Sequence, residues 1–150
     1  MILPTQTIRR LSILNPCAER TRLNGVTYGL SSCGYDLRIS ADIWLWPGAC
    51  VLVDAIEEFN MPNDVMGRLY TKSTWARAHV RVANTIIDPG WRGILRLEIS
   101  QHFGEPITIL TGTGVATVVF ERLEEPTEQP YEGKYQNQRA GQNAIFEPAN

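Results

Sequence analysis

Polar and apolar residues alternate with period two over much of this chain. The clearest run is Leu95 to Ser100, where Leu95, Leu97 and Ile99 alternate with Arg96, Glu98 and Ser100. That period marks a strand with one apolar and one polar face. Similar runs predict strands at Tyr35–Ile39, Ile43–Trp46, Ala49–Val53, Val65–Tyr70, Val80–Thr85, Gly93–Ser100, Ile107–Leu110 and Val115–Phe120. Pro47-Gly48, Asn60 to Asn63, Gly104-Glu105-Pro106 and Gly112-Thr113-Gly114 punctuate them as turns. Many short, regularly spaced strands predict an all-β barrel or sandwich. Helical pattern is confined to two short pieces. Thr5–Leu11 has Thr5 as a candidate cap, and the stretch after Lys72 offers Ser73 or Thr74. Trp44 and Trp46 share a strand face and read as core or as a subunit interface, not as a ligand stack.

The chemistry concentrates between Lys72 and Glu98. Glu98 lies on the polar face of its strand with large apolar neighbours. A pocket over that face would desolvate it and raise its pKa toward the range useful for proton transfer. An ordinary solvated strand glutamate is the alternative. Lys72-Ser73-Thr74-Trp75-Ala76-Arg77 places a lysine and two hydroxyls at a helix start, a combination suited to phosphate. Arg77 falls one turn after Ser73 on the same face. The Asp88-Pro89-Gly90 turn predicts a hairpin joining Val80–Ile87 to Gly93–Ser100 and bringing Asp88 toward the Glu98 strand.

Composition narrows the classes. A chain of 150 residues is expected to form one domain. A net charge of −2 argues against a general nucleic-acid binder. There is no run of 18 apolar residues for a membrane span and no signal pattern at the N-terminus, so the cytoplasm is the expected location. Cys17, Cys33 and Cys50 are odd in number and widely spaced, and read as buried and reduced. The H-x-E and P-C-x-x-C signature of zinc deaminases is missing, and His79 and His102 have no partners at ligand spacing. No zinc is expected. From Glu121 the chain turns acidic and polar, and Glu124–Asn150 reads as a mobile tail.

Five stretches taken in order resemble the metal-independent dCTP deaminase family. They are Tyr28–Arg38, Lys72–Arg77, Asp88–Gly93, Leu97–Ser100 and Pro130–Gln138. The resemblance implies a distorted β-barrel of the jelly-roll, dUTPase-like type, assembled as a homotrimer, that hydrolyses dCTP to dUTP and ammonia. It implies Glu98 as the proton-transfer group, with Ser73 holding the water and Arg77 near the cytosine. Lys72, Ser73 and Thr74 match the phosphate stretch, Thr85 the base-pocket segment and Asp88 the acid near the deoxyribose. Tyr131, Lys134, Tyr135 and Gln138 match the tail that closes over base and triphosphate. Mg2+ is implied as a companion of the triphosphate, and dTTP as an inhibitor.

This chain departs from the family at Thr117, where many relatives carry glutamine, and in Val82–Ile87, which bears on 5-substituted cytosines. It is also short between Arg38 and Asp64, and a compact chain of this kind fits a phage-encoded member. Two other readings stand beside the first. One is a dUTP pyrophosphatase, or a bifunctional enzyme, using Asp88 to activate water. The other is a non-catalytic nucleotide-binding barrel.

Overall fold

The computed structural model describes residues 1–148. The chain is mainly β with two short helices. Helix α1 spans Thr5–Leu11, and strands β1 (Leu14–Asn15), β2 (Thr21–Leu23), β3 (Val26–Ser31), β4 (Gly34–Arg38) and β5 (Ile43–Leu45) follow. Then come β6 (Cys50–Asn60), β7 (Val65–Thr71), helix α2 (Ser73–Arg77), β8 (Val80–Val82), β9 (Ile86–Ile87), β10 (Arg92–Gln101), β11 (Ile107–Ile109) and β12 (Gly114–Arg122). Six strands form a sheet in the order β2-β3-β4-β12-β7-β9; four form another, β1-β6-β10-β8; and β5 pairs with β11. Among the described residues no helix is long and apolar enough to cross a membrane.

The apolar faces of the two large sheets enclose one core. Tyr35, Phe59 and Phe120 are its largest fully buried side chains, and Phe59 meets Phe120 and Trp91 at ring distances of 6.5 and 5.8 Å. Glu57 is wholly buried within it. The carboxylate of Glu57 accepts the Arg38 Nε–H at 2.7 Å, the Arg38 backbone N–H at 3.1 Å and the Tyr35 hydroxyl at 3.2 Å. Burial, helped by the charge of Glu57, pushes the Tyr35 phenol well above its ordinary value. Part of the N-terminal motif Tyr28–Arg38 therefore works inside the protein.

The eight expected strands are present, with revised limits. The strand expected at Ala49–Val53 continues to Asn60, because Ala55, Glu57 and Phe59 keep the inward alternation across polar neighbours. Strands β1, β2, β3 and β9 lie outside the eight expected strands. The expected hairpin forms only in part: β8 pairs antiparallel with β10, but the pairing stops at Val82. Val82 pairs with Ile99 of β10, but Ile86 and Ile87 pair with Arg68 and Gly67 of β7, so the chain changes sheets between them. Residues 83–85 belong to neither ladder, since Val82 completes one apolar face and Ile87 another.

Neither expected cap is made. Pro4 caps α1, while the Thr5 hydroxyl turns back to the Ser31 carbonyl; Lys72 caps α2 without a side-chain bond. All three cysteines are free, but Cys33 and Cys50 are exposed and Cys17 is only partly covered, so the expected burial fails. For Cys17, desolvation and then the charge of Glu19 raise the thiol pKa. Trp44 and Trp46 pair at 4.9 Å on the outside of β5, both exposed, which excludes the core reading.

Candidate active site

Where the chain changes sheets after Val82, residues 83–88 line a cavity of about 420 Å³. Backbone bonds hold its wall from both sides: the Ala83 N–H donates to Glu98 O at 2.9 Å, and the Leu69 N–H to Thr85 O at 3.1 Å. Leu52, Leu69, Ile87, Trp91 and Leu95 give it an apolar lining. Among the described residues that line it, Asp88, Arg96 and Glu98 are the charged ones.

Glu98 is exposed on β10, while Leu97 and Ile99 beside it are buried. It stands opposite Leu52 of β6, and its carboxylate takes no hydrogen bond from the described residues. A second hollow of about 400 Å³, lined by Cys50, Thr71, Arg81 and His102, shares Ala83, Asn84 and Glu98 with the first. The glutamate is thus a ridge reachable from two sides. An unpaired carboxylate on a rigid central strand is free to accept or deliver a proton.

Thr85, Asp88, Glu98, Tyr131, Tyr135 and Gln138 meet at the first cavity. Residues 131–138 reach it by packing on the Asp88–Ile94 stretch of the same chain. Gln138 bridges to Gly93 and takes the Ile94 N–H at 2.9 Å, while its Nε2 donates to Ile94 O at 2.8 Å. Gly93 has φ +142°, and a Cβ there would stand 2.7 Å from both the N and the O of Gln138. Only glycine lets the two backbones come this close. Lys134 is exposed, donates to the Ile145 carbonyl and lies 5.5 Å from the Tyr135 ring centre. The last two residues of the expected tail lie outside the described residues.

Lys72, Ser73, Thr74 and Arg77 line neither hollow. Ser73, Thr74 and Arg77 are exposed on α2 and make no side-chain hydrogen bond among the described residues. The Lys72 ammonium is paired with the carboxylate of Asp36, which also accepts the Thr117 hydroxyl at 2.6 Å. Trp75 fixes the helix from its other side by donating Nε1–H to Gly114 O at 2.8 Å. The helix is held on both sides, and Ser73, Thr74 and Arg77 line no part of the cavity.

Several site residues went unread in the sequence. Arg96, the one cation among the described residues that line the cavity, shares the face of Glu98, so the strand alternation already carried the signal. Its Nη1 donates to Asp54 Oδ1 at 2.9 Å, and Asp54 Oδ2 accepts the Gly141 N–H at 2.8 Å. Residues 142–144, which also line the cavity, gave no such signal. Among the described residues, no group of three or more His, Cys, Asp or Glu is placed to hold a metal ion.

Comparison with known proteins gives a consistent family. The model of the dCTP deaminase-like family matches residues 35–123. The chain is 30% identical to a dCTP deaminase of Pyrococcus horikoshii, over 91% of this chain and 92% of that protein. It is 31% identical to one of Campylobacter fetus, over 89% of each. Among solved structures it is similar to the 2'-deoxycytidine 5'-triphosphate deaminase of Agrobacterium tumefaciens, with a TM-score of 0.67 and 18% identity. That match covers 81% of this chain but 47% of the Agrobacterium chain, so this chain spans less than half its length. A mutant dUTPase of phage phi11 of S. aureus, described with a structural Mg(II) ion, matches with a TM-score of 0.60 and 16% identity, over 80% of this chain and 95% of that one.

Proposed function

The chain belongs to the dCTP deaminase family, and from that membership and its dUTPase-like fold we propose that it hydrolyses dCTP, or a 5-substituted dCTP, to the corresponding dUTP and ammonia. The observation that carries this reading is the position of Glu98. It is an unpaired carboxylate on a central strand, at the edge of a cavity with apolar walls and a tyrosine-bearing tail. In the proposed step a water oxygen adds to C4 of the cytosine. Glu98 takes the water's proton and passes it to the ring nitrogen. Glu98 then carries the proton of the new C4 hydroxyl to the exocyclic amine, the C4–N bond breaks, and ammonia leaves as the C4 carbonyl forms. No zinc is used. Magnesium arrives on the triphosphate, held by phosphate oxygens and water.

Thr85 lines the base pocket, and Asp88 receives the deoxyribose. Tyr131, Lys134, Tyr135 and Gln138 close over base and phosphates, within a single domain whose tail begins at residue 124. Ser73 holds the water, Arg77 faces the cytosine, and Thr74 and Lys72 hold phosphate, Lys72 exchanging Asp36 for it. These four belong to the cavity of another copy in a homotrimer. The support for that assignment is that Ser73, Thr74 and Arg77 are exposed and that none of the four lines the cavity of its own chain.

The test is incubation with dCTP and magnesium, with ammonia and pyrophosphate assayed together. Ammonia without pyrophosphate is expected. Glu98→Gln should still bind nucleotide but lose at least ~10²–10⁴-fold in turnover, the usual worth of general acid–base work. Near-normal turnover by that variant removes Glu98 from the mechanism. The second reading, dUTP pyrophosphatase or a bifunctional enzyme, is favoured by one observation: Asp88 lines the same cavity as Glu98. Pyrophosphate released from dUTP, and lost in Asp88→Asn, would establish it.

A further inference from the structure

The side-chain amide of Gln136 uses its whole bonding capacity. Its Oε1 accepts the Arg92 N–H at 2.8 Å and the Asn137 N–H at 3.2 Å. Its Nε2 donates to Gly90 O at 2.9 Å and to Tyr131 O at 2.8 Å. A carboxamide has two donors and two acceptor sites, so none is left over for a ligand. The four partners lie on the two pieces of chain that border the cavity: the turn carrying Asp88, and the loop carrying Tyr131 and Tyr135. Parallel bonds support the junction. The Tyr131 N–H donates to Pro89 O and the Trp91 Nε1–H to Tyr135 O, each at 2.8 Å. The Tyr131 hydroxyl accepts the Tyr135 N–H at 3.1 Å, which closes the loop on itself. Gly90 is shaped to this approach, since a Cβ there would stand 2.7 Å from Pro130 Cβ.

We propose that Gln136 is a positioning residue for nucleotide binding: it holds Tyr131 and Tyr135 over the cavity at a fixed place relative to Asp88, before any ligand arrives. The proposal rests on the reading above, that the cavity takes a deoxynucleoside triphosphate. Ordering a segment at the moment of binding weakens affinity, and ordering it in advance removes that cost. Gln136 touches no reacting atom, so its loss acts on affinity and leaves the chemical step alone. Replacement by leucine keeps the approximate size but takes the side-chain partner from the Arg92 N–H and from the Gly90 and Tyr131 carbonyls, while the Asn137 N–H keeps its bond to Arg92 O at 2.9 Å. Glutamate keeps the acceptor oxygen and loses both donors.

The experiment compares wild type, Gln136→Glu and Gln136→Leu in three measurements: steady-state kinetics with Mg-dCTP, calorimetric titration with dCTP, and limited proteolysis without nucleotide. For Gln136→Leu the expected result is a KM and a dissociation constant raised about tenfold or more, as loss of preorganisation predicts. Its kcat should stay within about threefold. The tail should be cut early while the core resists, and Gln136→Glu should fall between. Wild-type affinity together with wild-type tail resistance in Gln136→Leu overturns the proposal. So does a fall in kcat at unchanged KM, which would place the amide in the chemistry. If the wild type binds dCTP without releasing ammonia, the deaminase reading fails, and the titration and proteolysis still decide the role of Gln136. If the wild type does not bind dCTP, both fail.

Discussion

At residue 57 a carboxylate is buried completely, and the structure shows how it is tolerated. Arg38 supplies a charge-assisted bond from its side chain and another from its backbone, and Tyr35 supplies a third. Breaking such a pair by removing one partner is costlier than removing both, because the remaining charge stays buried without compensation. Arg38→Met should therefore lower stability by about 3–5 kcal/mol, read from the midpoint of urea unfolding. Arg38→Met with Glu57→Leu should recover much of the loss; if the double variant is as unstable as the single, the buried charge is not the cause. Glu98 is the opposite case. It is exposed and unpaired, and its alternation with Leu97 and Ile99 made its outward direction readable from the sequence. Arg96 obeys the same alternation and was equally readable. The partnership of Lys72 with Asp36 was not, because it joins positions 36 residues apart through the fold.

At the scale of elements, β10 organises the site: its outward face carries Glu98 and Arg96, and its first residues receive the tail. Gly93 makes that reception possible. Gly93→Ala would place a methyl against the Gln138 backbone and also force an alanine into a positive-φ conformation. The strain alone costs about 1–2 kcal/mol. Gly48→Ala carries positive-φ strain with open space around it and serves as the control. Both variants should melt earlier, but only Gly93→Ala should expose residues 131–148 to protease; equal exposure in both would show that the contact is not the anchor. The strands were legible where the period-two pattern was clean, as in β7, β10 and β12. It failed at β2, whose three residues are all exposed and present no alternation. The hairpin expectation failed beyond Val82 because Val80–Ile87 is largely β-branched and apolar, a pattern that fits one long strand or two short ones. Which sheet each half joins is decided by partners in β7 and β10, outside the segment itself.

For the whole molecule, the division of the proposed site residues is the main fact. Thr85, Asp88, Glu98 and the tail residues surround one cavity, while Ser73, Thr74 and Arg77 project elsewhere. A closed oligomer brings different patches of identical chains together. Glu98→Gln and Arg77→Leu should each be inactive alone. Refolded together in equal amounts, they should regain about a quarter of wild-type activity, since random assortment in a ring unites an intact Glu98 with an intact Arg77 in about one site of four. No regain would mean that both residues act within one chain. Truncation after Pro130 should leave the oligomer folded but with much weaker nucleotide binding and turnover, measured by calorimetry and ammonia release.

The docking of Asn137 and Gln138 along Arg92–Ile94 has a consequence for solubility. Strand β8 covers β10 only at Ile99–Gln101, so the opening residues of β10 would otherwise be a bare sheet edge. Bare edges recruit strands from other molecules. The segment that borders the cavity thus also shields the sheet against self-association. The chain ending at Pro130 should scatter more light as its concentration rises, while the full-length chain stays clear.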